Sequence, residues 1–252
     1  MTMNRQIRVA VAGASGRMGQ EVVKMLGEDQ TLIYTGPLDT RVSDAELERQ
    51  LDEMKPDVLV DFTTPHSVYR HMEMCLRRQI RPVVGTTGLS PEQLQDLTAR
   101  YKEAGLGAII APNFAIGAIL CMKFAAIAAK YMPHVEIIEL HHDRKLDAPS
   151  GTALKTAEMI AAVREKQQQG HPDETETIAG ARGADYDGFR IHSVRLPGMV
   201  AHQEVLFGAT GQTLSIRHDS INRESFMPGV NMAIKAVMNL DSLIYGLEHL
   251  ID

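Results

Sequence analysis

The stretch ELHHDRKLDAPSGTAL, residues 139–154, sets two adjacent histidines, a lysine three positions later and an Asp-Ala-Pro-Ser-Gly-Thr turn in one short run. Histidine exchanges a proton near neutral pH. Lysine is a mobile cation. Ser150 is a good helix N-cap, and Gly151, Thr152 and Ala153 would open the helix with their amides at the positive end of its dipole. Such amides receive a carboxylate. His141, His142, Lys145, Ser150, Gly151 and Thr152 are therefore candidates for holding a small acidic molecule. One of its carbons would accept a hydride while a neighbouring atom takes a proton. The plainer reading is a capped helix with surface histidines. Two histidines, a lysine and an open helix start in one loop favour chemistry over it.

These residues need elements to place them and a source of hydride. HVEIIELHH (134–142) reads as a strand, and its extended end would point His141 and His142 to opposite sides. SGTALKTAEMIAAVREKQQQ (150–169) reads as the following helix. Near the start of the chain, Ile7–Ala12 is apolar except for Arg8, which suits a strand buried on both faces. GASGRMG (13–19) follows, and then Val22, Val23, Met25 and Leu26 recur as on a helix. Strand, glycine turn and helix open a parallel α/β unit. Gly13 permits a tight turn, Gly16 close approach to a pyrophosphate, and Gly19 close helix–strand packing. The spacing is looser than G-x-G-x-x-G, and a turn without ligand is the alternative.

Asp39 lies twenty residues after Gly19, where an acid commonly holds the adenosine ribose. A carboxylate there favours NAD. Arg17 and Arg41 are near enough in sequence to receive the extra phosphate of NADP, so NADH and NADPH both stand as candidate cofactors. A solvated turn residue is the alternative for Asp39. Further strands and helices alternate through SDAELERQLDEM (43–54), DVLVDF (57–62), PVVGTT (82–87), SPEQLQDLTARYKEAG (90–105) and AIIAPN (108–113). In a doubly wound sheet, ligands lie beyond the carboxyl ends of the strands. The ends DFTTP, VVGTTG and APNFAIG therefore add Gly85, Thr86, Thr87, Asn113 and Phe114 as cofactor candidates, with ordinary turn chemistry as the alternative.

The texture changes after Asn113. An apolar helix spans about 116–131, and FRIHSVRL, QEVLFGA and TLSIRHD read as strands with no helix between them. PGVNMAIKAVMNLDSLIYGLEHLI (228–251) reads as helical. The expected fold is α/β: a Rossmann-like doubly wound parallel sheet, formed by residues 1–112 and 223–252, plus a second α+β domain, 113–222, with a mostly open mixed sheet. Arg195 has two readings, a clamp for a second carboxylate or a structural salt bridge.

Composition narrows the classes. The net charge is −6, no basic stripe stands out and Trp is absent, which argues against nucleic acid as a partner. No run of eighteen apolar residues suggests a membrane span. The N-terminus lacks the long apolar core of a secretory signal, and Cys75 and Cys121 have no metal or redox spacing, so a cytoplasmic location with reduced thiols is expected. No metal is expected. Adjacent histidines rarely face one ion, which makes a zinc site of His141, His142 and His202 poor. Ser150 lacks the G-x-S-x-G elbow of a nucleophile.

Taken together, ELHHDRKLDAPSGTAL, GASGRMG, DFTTP, VVGTTG, APNFAIGA, HSVRLPGMVAHQEV and IRHDSINRESF resemble the dihydrodipicolinate reductase family over nearly the whole chain. The resemblance implies reduction by NADH or NADPH of the cyclic dicarboxylate made by the preceding synthase, in the diaminopimelate route to lysine. It places the acid/base histidine on His141, the catalytic lysine on Lys145, and substrate contacts on His142, Gly151 and Thr152. Cofactor positions fall on Gly13, Ala14, Ser15, Gly16, Arg17 and Met18, on Gly85, Thr86 and Thr87, and on Ala111, Pro112, Asn113 and Phe114. It also implies a homotetramer built through the second domain's sheet, and a terminal segment from about Arg223 that returns to the first domain. The chain departs from the family by having only Gln20–Val60 between the glycine-turn helix and DFT. On that ground TLIYTGPLD is open to reading as the remnant of a later strand. A nucleotide- and dicarboxylate-binding homologue with lost catalysis is the alternative function.

Overall fold

The strands of the first unit are short and apolar throughout. They are β1 Ile7–Ala12, β2 Leu32–Leu38, β3 Val58–Asp61, β4 Arg81–Val84, β5 Ala108–Ile110 and, far along the chain, β11 Leu243–Tyr245. Every residue of β3 and β5, and the last four of β1, is buried. Burial of consecutive residues requires cover on both faces, which is why alternation is absent from these runs. The computed structural model describes residues 5–251. It divides the chain into two units, one ending at Phe114 and resuming at Arg223, the other Ala115–Asn222.

The six strands are parallel in the order β11-β5-β4-β3-β1-β2. Consecutive strands therefore leave β1 on opposite sides, and a crevice opens beyond the carboxyl ends of β1 and β3. The intervening helices are α1 Arg17–Glu28, α2 Asp44–Met54, α3 Pro65–Arg77 and α4 Pro91–Glu103. Their starts follow local chemistry. The Ser43 hydroxyl accepts the Glu46 amide, and Ser90 and Gln93 cap each other reciprocally. β2 forms the edge beside β1 and carries Pro37, which an edge strand tolerates. TLIYTGPLD thus supplies the strand next to the glycine turn.

The second unit has α5 Ile116–Ala129, β6 His134–His141, α6 Gly151–Ala161, β7 Ala184–Tyr186, β8 Phe189–Arg195, β9 Ala201–Ala209 and β10 Gln212–Ser220. Its sheet runs β10-β9-β6-β8-β7, with β6 and β8 parallel and the other pairs antiparallel. Val135, Ile137, Phe189, Ile191, Val205 and Phe207 pack on Cys121, Ala125, Ala153, Ala157 and Ile160 of α5 and α6. On the opposite sheet face Ile138, Leu140 and Val194 are half-buried and Leu206 is exposed.

Two expected helices are shorter than their sequences suggest. α6 stops at Ala161, not 169. Arg164 turns inward and donates to the carbonyls of Pro133, Gln167 and Asp187, while the Gln169 amide pairs with both backbone groups of Val135. These distant partners outweigh helix propensity. The closing stretch is α-helical only over α7, Met227–Val237, with one 3-10 turn at Leu247–Leu250. Leu243–Tyr245 then joins β5 as a parallel strand, where its apolar and aromatic residues complete the sheet. No helix among the described residues is long and apolar enough to cross a membrane.

Candidate functional site

Alternation along β6 points Val135, Ile137, Glu139 and His141 to the helix-covered face. The third position of this core stripe is a carboxylate. Glu139 is 0% exposed. An ionised group survives there only if paired and hydrogen-bonded. Arg195, beside His141 on β8, donates to both oxygens of Glu139 at 2.9 and 2.7 Å, and the Ser150 amide donates at 3.2 Å. Burial opposes ionisation of this carboxyl. The hydrogen bonds from His141, Arg195 and Ser193 outweigh burial and hold it down at about 2. Because Glu139 is ionised, the hydrogen shared with His141 Nδ1, 2.5 Å away, is donated by the imidazole. The other ring nitrogen, Nε2, is left for proton exchange. Arg195 is thus held by Glu139 and by the Asp147 carbonyl at 2.8 Å, which settles its two readings toward the structural one.

The loop after β6 folds back on itself. The Lys145 amide donates to the His142 carbonyl at 3.2 Å, and the Lys145 ammonium meets both Asp147 oxygens at 2.7 and 2.9 Å. That pair lowers the ionisation range of the Asp147 carboxyl. The Ser150 hydroxyl accepts the Ala153 amide at 3.2 Å, and a side chain at Gly151 would meet nothing within 4 Å. His142 follows the end of β6, and its buried Nδ1 has no hydrogen-bond partner among the described residues. His141, Lys145, Ser150, Gly151 and Thr152 are therefore brought to one loop. An acid/base imidazole, an ammonium and a helix start converge on it, which suits a small anion that must gain a proton. His202 stands apart from any such role, its two ring nitrogens engaged by Asp219 at 2.6 Å and the Val200 amide at 3.1 Å.

In the first unit, the candidate cofactor residues follow the carboxyl ends of three strands, β1 being separated from the neighbours β4 and β5 by β3: Gly13–Met18 after β1, Gly85–Thr87 after β4 and Ala111–Phe114 after β5. Gly13 has φ +79°, and a Cβ there would lie 2.6 Å from the Phe62 carbonyl oxygen. Gly16 caps α1 without any side-chain hydrogen bond, and Ser15, Gly16 and Arg17 are exposed. A glycine turn against an uncapped helix start fits a pyrophosphate. Gly19 holds the helix down: a Cβ would stand 2.1 Å from the Gly13 carbonyl oxygen. Gly19→Ala is expected to weaken nucleotide binding about tenfold or more, because backbone rather than a yielding side chain must move. Calorimetric titration checks this, and unchanged affinity would contradict it.

Asp39 directly follows β2. Arg41 donates to it at 3.0 Å and lowers its ionisation range, and its own amide donates to Gln50 at 2.9 Å. Thr86 is buried and Thr87 exposed. Phe114 is buried, its ring tilted 5.8 Å from that of Phe62. Sequence reasoning missed Glu139 and Asp147 as partners of His141 and Lys145. A carboxylate in the register Val135, Ile137, Glu139, His141 was the available signal for the first.

Comparison with known proteins agrees over the whole length. The profile for "Dihydrodipicolinate reductase, N-terminus" matches residues 7–114, and that for the C-terminus matches 117–251. A 4-hydroxy-tetrahydrodipicolinate reductase of Halalkalibacterium halodurans is 60% identical, covering 98% of this chain and 100% of its own. The Bacillus subtilis (strain 168) enzyme of the same name is 54% identical, covering 99% of each. A dipicolinate-bound dihydrodipicolinate reductase from Paenisporosarcina sp. TG-14 superposes with TM-score 0.90 at 51% identity, covering 98% of this chain and 100% of that one. The first alignment spans 264 positions against 252 residues here, so that relative carries a dozen or more residues without a counterpart.

Proposed function

From its membership of the dihydrodipicolinate reductase family, we propose that this chain reduces 4-hydroxy-tetrahydrodipicolinate to tetrahydrodipicolinate with NADH or NADPH, in lysine and diaminopimelate biosynthesis. The observation that carries the mechanism is the Arg195–Glu139–His141 chain, centred on the buried Glu139, at the start of the loop that carries Lys145 and leads into the first turn of α6. Overall, the substrate loses its hydroxyl as water and gains one hydride and one proton. When bound, the nicotinamide supplies the hydride. The amides of Gly151 and Thr152 and the Lys145 ammonium receive a substrate carboxylate, Lys145 exchanging Asp147 for it. Ser150 fixes that helix start. His142 lines the substrate side. His141 delivers the proton from Nε2 as an imidazolium, whose charge Glu139 stabilises until the transfer leaves the ring neutral.

The nucleotide is assigned to Gly13–Met18, Asp39, Gly85–Thr87 and Ala111–Phe114. The partly apolar face of the second sheet is assigned to subunit contacts in a homotetramer, and the enzyme to the cytoplasm. The binding-only alternative has no support in the loop, where His141, Lys145 and the helix start are all present. Consumption of NADH or NADPH on addition of fresh synthase product tests the activity. No turnover with either nucleotide would reject it.

Asp39 makes a sharper prediction. Its carboxylate binds ribose hydroxyls and repels a 2′-phosphate, and it also occupies Arg41. Asp39→Ala removes the repulsion and frees the arginine, so both effects favour NADPH. The ratio of kcat/KM for NADPH over NADH should rise about tenfold. An unchanged ratio would remove Asp39 from the nucleotide site.

A further inference from the structure

A carboxylate and an imidazole lie buried together at the carboxyl end of β3, and neither takes part in the chemistry above. Asp61 is 1% exposed and His71, on α3, 2%. His71 Nδ1 is 2.7 Å from one oxygen of Asp61. The other oxygen accepts the Thr63 amide at 2.8 Å, the Thr63 hydroxyl at 2.6 Å and the Thr86 hydroxyl at 3.2 Å. The neighbouring backbone extends the connection. The Gly85 amide donates to the Asp61 carbonyl at 2.9 Å, and the Phe62 amide to the Ala12 carbonyl at 3.1 Å. The Phe62 carbonyl fills the space where Gly13 has no side chain, and its ring fills the same space at Gly85, 2.0 Å from a Cβ built there. That ring also meets Phe114. Residues 61–63 therefore touch the turn after β1, the loop after β4 and the residue that ends the loop after β5.

Packing alone does not account for the pair. His71 Nε2 is buried with no hydrogen-bond partner among the described residues. An apolar pair would fill the same volume without that penalty and without desolvating a carboxylate. What the pair supplies is direction, since one carboxylate oxygen faces His71 on α3 while the other accepts from Thr63 after β3 and Thr86 after β4. We infer that Asp61 is a positioning residue for the nucleotide. Fixed by His71, its carboxylate ties the turn after β3 to Thr86 after β4 and so sets the spacing of the loops that hold the dinucleotide. The inference rests on the assignment of the nucleotide to the first unit.

The test compares wild type with Asp61→Asn, Thr86→Val, Thr86→Ser and the Asp61→Asn/Thr86→Val double variant. The readouts are NADH and NADPH dissociation constants, KM for each substrate, and melting temperature. Asp61→Asn should raise the nucleotide Kd and KM about tenfold, the scale of a hydrogen bond to a charged group, with KM for the dicarboxylate unchanged. Thr86→Val should move the same constants in the same direction, and Thr86→Ser should restore them. The double variant should lose no more than the larger single loss, because hydroxyl and carboxylate act as one unit. A folded Asp61→Asn with wild-type nucleotide Kd, or fully additive losses, would overturn the inference. A lowered melting temperature with unchanged nucleotide constants would reduce Asp61 to a structural role and overturn it equally. If Asp61→Asn does not fold, Thr86→Val with wild-type Kd overturns it alone. Wild type binding neither nucleotide would instead bring down the functional reading first, and the inference with it.

Discussion

Lys145→Ala should lower turnover by ~100-fold or more while leaving the nucleotide dissociation constant unchanged, the scale of losing a positioned cationic or proton-transfer group. The expectation follows from how the ammonium is held. Its side chain is 21% exposed, yet its partner Asp147 is 62% exposed. An ion pair with so open a partner is worth little in itself, so a substrate carboxylate can take the place of Asp147 at low cost. Asp147→Asn should accordingly be mild beside Lys145→Ala. Steady-state kinetics with saturating nucleotide separates the two variants. A Lys145→Ala enzyme turning over at the wild-type rate would remove Lys145 from the mechanism, and parallel losses of turnover and nucleotide affinity would point to a folding defect.

Glu139→Ala should be the most damaging single change in the second unit. It leaves the Arg195 guanidinium and the His141 imidazole without their shared partner inside the core stripe. Breaking a buried pair from one side costs about 3–5 kcal/mol. Glu139→Gln keeps the shape and one acceptor oxygen, so it should fold more stably than the alanine variant and yet lose turnover, because no charge then balances a protonated His141. The same residue sets an acid limit. Its carboxyl is held at about 2, below its ordinary 4.5. A lowered folded-state value adds stability that is full above the unfolded value and disappears as pH falls toward the folded one. The difference is worth about 3 kcal/mol. Wild type should lose more denaturant stability between about pH 5.5 and pH 3 than Glu139→Gln does. Equal losses would show that Glu139 is not the group responsible.

The loop from His141 to Thr152 was legible because its chemistry is contiguous in sequence and each part has a local meaning: strand end, turn, N-cap, helix start. The glycine turn was legible for the same reason. The Glu139–Arg195 contact was not, because it depends on β8 lying beside β6, a pairing across more than fifty residues that local pattern does not encode. Leu243–Tyr245 reads as helix in the sequence because a three-residue strand has too few positions to show a period, and only the vacant edge of β5 decides it. The stretch after Ala161 was overrun for a similar reason, since Arg164 and Gln169 find partners that no window around them contains. Asp61 was visible only as the first letter of DFTTP. Its donors come from Thr63, His71 and Thr86, which share no local pattern.

The measurement that bears most directly on the mechanism is a crystal structure of this protein with pyridine-2,6-dicarboxylate bound. One carboxylate should rest on the amides of Gly151 and Thr152, with the Lys145 ammonium turned from Asp147 toward it and the His141 ring facing the ligand. A dicarboxylate bound elsewhere, with the Lys145–Asp147 pair undisturbed and the first turn of α6 bare, would contradict the account.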